Sequence, residues 1–135
     1  MTDLTKRELC LAAIDAAKKS YAPYSGFNVG AALLCKNGIV YSGCNIENAA
    51  FSPTVSAERV AVFKAVSDGN LDFEMIAVVG GKNRNISPVT TPCGVCRQVL
   101  SEFCSPEMPI LLVKNEIGDF EETNIGALLP SSFTL

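Results

Sequence analysis

What constrains this chain most is the order in which two kinds of hydrophobic pattern alternate along it. From about Leu9 to Lys19 an Ala-rich stretch puts Leu9, Ala12, Ala13, Ala16 and Ala17 on one helical face, and Pro23 stops it. Phe27 to Leu34 is apolar and compact, Lys36-Asn37-Gly38 is a turn signal, and Ile39 to Ile46 resumes with Val40, Tyr41 and Cys44, which together read as a β-hairpin. Helical spacing returns at Val55, Val62, Phe63 and Val66, with Ala57, Ala61 and Ala65 interleaved, so a second helix is predicted from about Thr54 to Ser67, closed by Gly69. Met75 to Val79, bounded by Gly80-Gly81, is a buried strand; a polar loop leads to Pro92, Cys93 to Phe103 is helical, and Ile110 to Val113 is another strand. A weaker strand near Phe120 and a short helix near Ile125 to Leu129 complete the order. Elements alternating in this way pack as layers, and the expectation is an α/β fold, a three-layer α/β/α sandwich around a mixed five-stranded sheet.

The length of 135 residues accommodates one core, and without repeats or linkers the expectation is a single domain over 1–135. With 48 % hydrophobic and 19 % charged residues, the composition is that of a packed protein and not of a disordered one. The 11 basic residues are scattered against 14 acidic ones with no Lys/Arg run, which argues against nucleic acid as a partner and favours a small neutral or cationic ligand. The N-terminal segment is polar and mixed in charge, and no apolar run approaches the roughly 20 residues that span a bilayer, so a soluble, cytoplasmic protein without a membrane partner is expected. A scaffold of three disulfides is normally shorter and less apolar, so the six Cys read as reduced thiols. There is no His at all: a metal site must be built from sulfur and oxygen, and Ser-His-Asp or Cys-His catalysis within one chain is excluded.

Two short segments carry chemistry. In Pro92-Cys93-Gly94-Val95-Cys96 a loop becomes a helix, where exposed amides and the helix dipole favour thiolates and both sulfurs can face one cation. A redox pair or two small core residues would give the same spacing. Ser56-Ala57-Glu58-Arg59 opens the other helix, and its acidic residue in an apolar first turn either serves chemistry or stabilises the helix N-terminus by about 0.3–1 kcal/mol. Taken alone, Phe27 and Phe133 read as core aromatics. Asn45, Glu47 and Asn48 end a strand pattern in a polar cluster of the kind found in ligand-binding loops and also in ordinary turns.

Zinc deaminases carry an H-x-E or C-x-E element followed by P-C-x-x-C, and here Ser-Ala-Glu at 56–58 is followed by Pro92-Cys93-Gly94-Val95-Cys96. Together with Tyr21-Ala22-Pro23-Tyr24-Ser25-Gly26-Phe27, Val29-Gly30-Ala31-Ala32-Leu33-Leu34, Gly43-Cys44-Asn45-Ile46-Glu47-Asn48-Ala49, Phe63-Lys64-Ala65-Val66, Arg97-Gln98-Val99 and Leu128-Leu129-Pro130-Ser131-Ser132-Phe133, the chain resembles the small cytidine deaminase family from about Tyr21 to Phe133. The resemblance implies a hydrolase acting on a cyclic amidine: zinc-dependent deamination of cytidine and deoxycytidine to uridine and deoxyuridine in pyrimidine salvage. It further implies Zn2+ held by Cys93, Cys96 and the residue at position 56, Glu58 as the acid/base, and Arg59 balancing charge at the metal. Phe27, Asn45 and Glu47 would bind the nucleoside, and Phe133 would reach the base of a neighbouring subunit in a homotetramer.

The family places Cys where this chain has Ser56. A neutral hydroxyl is a poorer zinc ligand than a thiolate, so weak metal occupancy and impaired turnover are expected. The competing readings are a nucleoside-binding homologue without turnover and a deaminase of another cytosine nucleoside such as blasticidin S.

Overall fold

The computed structural model describes residues 5–87, 90–133 and 135; residues 1–4 of the polar N-terminal segment and 88–89 of the loop before Pro92 lie outside the described residues. The elements run α1 (Lys6–Ala17), β1 (Phe27–Cys35), β2 (Val40–Cys44), α2 (Ala57–Ser67), β3 (Phe73–Lys82), α3 (Gly94–Phe103), β4 (Pro109–Val113), β5 (Phe120–Asn124) and α4 (Ile125–Leu128). Strand order is β2-β1-β3-β4-β5, with β1 antiparallel to both its neighbours, β3 parallel to β4, and β4 antiparallel to β5. The mixed five-stranded sheet and its flanking helices are therefore as the sequence predicts.

Alternate residues of each strand feed opposite faces, as the period of two requires. Ala31, Leu33, Ile76, Val78, Ile110 and Leu112 pack with Ala57, Ala61 and Val62 of α2, Leu100 of α3 and Ile125 of α4. Ala32, Leu34, Met75, Ala77, Val79, Leu111 and Val113 pack with Leu9, Cys10 and Ala13 of α1. Two cores separated by one sheet make the three layers.

Three of the departures of element boundaries from the expectation have a visible physical cause. Helix α1 begins earlier, because Thr5 and Glu8 form a capping box in which the Thr5 hydroxyl accepts from the Glu8 N–H and the Glu8 carboxylate accepts from the Thr5 N–H. Helix α2 begins later than Thr54, because Val55 is paired in extended conformation with Ile46 and Ser56 is the N-cap. Strand β3 runs through Gly80 and Gly81 to Lys82 instead of stopping before them. A Cβ on Gly81 would lie 1.7 Å from the Asn85 carbonyl oxygen, so glycine there lets the following chain fold back against the strand.

The topology gathers the chemistry-bearing segments. Gly30 pairs with Cys44 across β1 and β2, and with Val79 across β1 and β3, so the start of β1 and the ends of β2 and β3 lie at one end of the strands. The chain leaving β2 enters α2 and the chain leaving β3 enters α3, which brings both helix N-termini to that end of the sheet.

Candidate active site

Helix α2 enters the site through its cap. The Ser56 side chain accepts the Arg59 backbone N–H at 3.3 Å, and the Arg59 Nε–H reaches the same oxygen at 3.1 Å. Helix α3 enters with Cys93 as its N-cap residue, without a side-chain capping bond, and with the Arg97 N–H closing the first helical bond on the Cys93 carbonyl at 2.9 Å. The Arg97 guanidinium donates to the Pro92 and Leu128 carbonyls, each at 2.7 Å, which fixes the start of α3 against the end of α4.

The two N-termini meet side chain to side chain. Ser56 Oγ lies 2.7 Å from Cys96 Sγ, and Cys96 Sγ lies 3.1 Å from Cys93 Sγ. Cys96 is fully buried and Cys93 is exposed, so the pair has one wall inside the protein and one open to a ligand.

Glu58, in the first turn of α2, is only 4 % exposed. Burial pushes its carboxyl above the ordinary carboxylate range, opposed by its own backbone N–H, the Cys96 thiol and the Arg59 charge. Burial also pushes the Cys96 thiol up, with the Glu58 charge adding to it and the Ser56 hydroxyl opposing. Acidic and sulfur groups crowded at two positive helix ends, with little water, are the setting in which a divalent cation would relieve the mutual repulsion.

The donor chemistry fits zinc: two thiols converge in a C-x-x-C turn, with a hydroxyl and a buried carboxyl alongside. Among the described residues, no group of three or more His, Cys, Asp and Glu side chains is placed to hold a metal ion. The third sulfur of a three-thiolate site is therefore missing here, and Cys10, Cys35, Cys44 and Cys104 do not replace it.

The segment from Asn45 to Glu47 is joined to the same region by backbone bridges. Ile46 pairs with Tyr21 on one side and with Val55 on the other, one residue before Ser56. Asn45 is buried; its Oδ1 accepts from Ser20 Oγ at 2.5 Å and from the Val29 N–H at 2.9 Å, and its Nδ2 donates to the Phe27 carbonyl at 2.8 Å. One Nδ2 hydrogen is left for a ligand. The Glu47 carboxylate accepts from the Tyr24 and Ser25 backbone N–H groups at 3.0 and 3.1 Å and from the Ser25 hydroxyl. The Ser25 hydroxyl foremost holds its carboxyl below the usual range, so Glu47 is an anion with acceptor capacity to spare.

Phe27 is half-buried at the start of β1, its ring edge against Gly80, where an added Cβ would meet it at 2.9 Å. Phe133, by contrast, is 66 % exposed, so within one chain it is not brought into the site. Sequence reasoning missed Ser20 and Ser25, which hold Asn45 and Glu47 in place. Their partners lie 25 and 22 residues away, and no local pattern announces such bonds.

The family model of the cytidine and deoxycytidylate deaminase zinc-binding region matches residues 4–112. A cytidine deaminase of Sporosarcina psychrophila is 52 % identical over 119 residues, 88 % of this chain and 84 % of that one. A cytidine deaminase of Halalkalibacterium halodurans is 45 % identical over 131 residues, 97 % of this chain and 96 % of that one. Among solved structures, the cytidine deaminase of Burkholderia pseudomallei superposes with a TM-score of 0.87 at 43 % identity, covering 96 % of this chain and all of that one.

Proposed function

Because this chain belongs to the cytidine and deoxycytidylate deaminase family, we propose that it is a zinc enzyme that hydrolyses the amino group of cytidine and deoxycytidine, releasing ammonia and the uracil nucleoside. The observation that carries this reading is the buried Glu58 carboxyl beside the Cys96 thiol, where the N-termini of α2 and α3 meet. Cys93 and Cys96 would hold the zinc, with Ser56 at the remaining family ligand position and Arg59 supplying positive charge beside it. Bound there, zinc supplies Lewis acidity that makes a water nucleophilic at neutral pH.

Glu58 moves the protons. Its raised affinity for a proton suits it to take the two protons of the attacking water in turn and deliver one to the ring nitrogen and the other to the departing amine. Its burial keeps bulk water from competing for that proton. Asn45 and Glu47 bind the sugar: the remaining amide hydrogen of one and the spare acceptor capacity of the other match a hydroxyl, which accepts and donates at once. Phe27 gives the nucleoside an apolar side wall.

Phe51, Phe63, Val95 and Phe133 are exposed at 89, 47, 58 and 66 %, an apolar surface that supports a homotetramer in which Phe133 reaches the base in a neighbouring subunit's site. Residues 1–135 act as one catalytic domain in this reading. All six cysteines are free, which supports a reducing, cytoplasmic setting; among the described residues no helix is long and apolar enough to cross a membrane.

The test is turnover of cytidine, followed by the ultraviolet change as cytosine becomes uracil, on zinc-loaded protein before and after chelation. Turnover that vanishes with the metal and returns with zinc is the expected result. A zinc-loaded protein that binds cytidine without converting it would reduce the assignment to a nucleoside-binding homologue, and turnover of blasticidin S alone would move it to another cytosine nucleoside.

A further inference from the structure

Within the zinc-enzyme reading, the hydrogen bonds around position 56 decide what a serine does there. A hydroxyl has one hydrogen to donate and two lone pairs with which to accept. Both neighbours on Arg59, the backbone N–H at 3.3 Å and the Nε–H at 3.1 Å, can only donate, so together they occupy both lone pairs of Ser56 Oγ. The third neighbour is Cys96 Sγ at 2.7 Å, and the one group left to serve it is the hydroxyl hydrogen. Both donors also serve the fold. The backbone N–H is the cap of α2, and the guanidinium is held a second time through Nη2 on the Thr54 carbonyl at 3.5 Å. A metal bond from Ser56 needs a lone pair, and the structure commits both elsewhere.

We propose that Ser56 is a positioning residue that donates its hydroxyl hydrogen to Cys96 and does not bind the zinc, which is held by the sulfurs of Cys93 and Cys96 alone. Arg59 is then the residue that turns the hydroxyl toward sulfur, and its charge acts on Cys96 through that hydroxyl. The site differs in kind from a three-thiolate centre. It carries one negative charge fewer, and one more coordination position of the metal is left to water or substrate.

Cobalt(II) replaces zinc as a coloured probe, because each cobalt–sulfur bond contributes to a near-ultraviolet charge-transfer band. The whole chain, Ser56→Ala and Ser56→Cys are titrated with cobalt alone, and the band is read per bound ion. The sulfur band should be about 1.5-fold stronger in Ser56→Cys than in the natural chain, since a third sulfur joins two, and the visible d–d bands, which loss of an oxygen ligand would change, should be the same in the natural chain and Ser56→Ala. Cobalt affinity of Ser56→Ala should fall by less than about 100-fold, the range for losing a group behind a ligand.

A larger fall, a natural chain as intense as Ser56→Cys, or no sulfur band in the natural chain would each overturn the proposal. A crystal structure of the zinc-loaded protein supplies the second readout. Ser56 Oγ within the zinc–oxygen bonding distance of about 2.2 Å overturns it, and Ser56 Oγ beyond that distance with its Arg59 bonds kept supports it. Cytidine turnover is recorded apart from these. Its absence alongside an intact two-sulfur spectrum strikes the deaminase reading and leaves the ligand assignment standing.

Discussion

Burial makes a charged carboxylate costly at Glu58 and a proton welcome, against the opposing pull of its backbone N–H, the Cys96 thiol and the Arg59 charge. Replacing it by Gln keeps the shape and removes the proton relay, so Glu58→Gln should lower kcat by about 10²–10⁴-fold while cytidine binding changes little. Steady-state kinetics and equilibrium dialysis separate the two effects, and an unchanged kcat would remove Glu58 from the chemistry. Ser25 acts through another side chain: its hydroxyl bonds the Glu47 carboxylate and accepts the Phe27 N–H at 3.0 Å. Ser25→Ala should raise KM for cytidine by about 3- to 10-fold with kcat nearly kept, the worth of one hydrogen bond of about 1 kcal/mol. A fall in kcat with unchanged KM would place Ser25 in the reaction and not in sugar binding. At this scale Glu58, Cys93 and Cys96 stood out as candidates through the resemblance of their two motifs to the family, whereas Ser20 and Ser25 carry no local signal because what they hold is distant in the chain.

Helices reach the sheet over glycines, and two of these mark which helix the site depends on. A Cβ on Gly43 of β2 would lie 2.4 Å from the Ala57 carbonyl oxygen and 2.7 Å from the Ala61 nitrogen, backbone atoms of α2 that cannot turn aside. On Gly30 of β1 the Cβ would lie 2.1 Å from the Ala13 carbonyl oxygen of α1. Both Gly→Ala changes should destabilise by at least about 1–3 kcal/mol in urea unfolding. Only Gly43→Ala should also cut kcat in the fraction that remains folded, because α2 carries Ser56 and Glu58; equal loss of kcat from both would refute that distinction.

The start of α1 offers a pH test. The Thr5 backbone N–H, and after it the Thr5 hydroxyl, hold the Glu8 carboxyl below its ordinary 4.5. A carboxyl depressed by folding adds stability above its unfolded value, and that stability is lost as pH falls through the folded one. The Tm advantage of the natural chain over Glu8→Ala should be full near pH 7 and shrink below about pH 4.5; an advantage that grows in acid would contradict the capping box. Sequence periodicity found each helix and strand of the described residues but missed these ends, since caps and bridges such as Ile46 with Val55 are set by partners outside the element.

For the molecule as a whole, the apolar side chains left in solvent matter most, Phe51 at 89 % above all. Sedimentation velocity should give a particle about four times the 14.3 kDa of one chain. Phe51→Asp should dissociate it and remove most cytidine turnover, since Phe133 would lose the neighbouring site it is proposed to complete. A monomeric natural chain with full turnover would sink the tetramer. Two cores on opposite faces of one sheet mean that this surface is not needed to bury either of them.

By itself the sequence determined the layers and the order of elements, because periodicity is local and each segment carries its own, and the resemblance of its motifs to the family pointed to thiol–carboxyl chemistry. It also placed Ser56 where the family has cysteine. Only the tertiary structure decided what that serine does. The Arg59 donors on its oxygen and the Cys96 sulfur 40 residues away are brought together by the meeting of α2 and α3, and the direction of a hydroxyl follows from its neighbours in space.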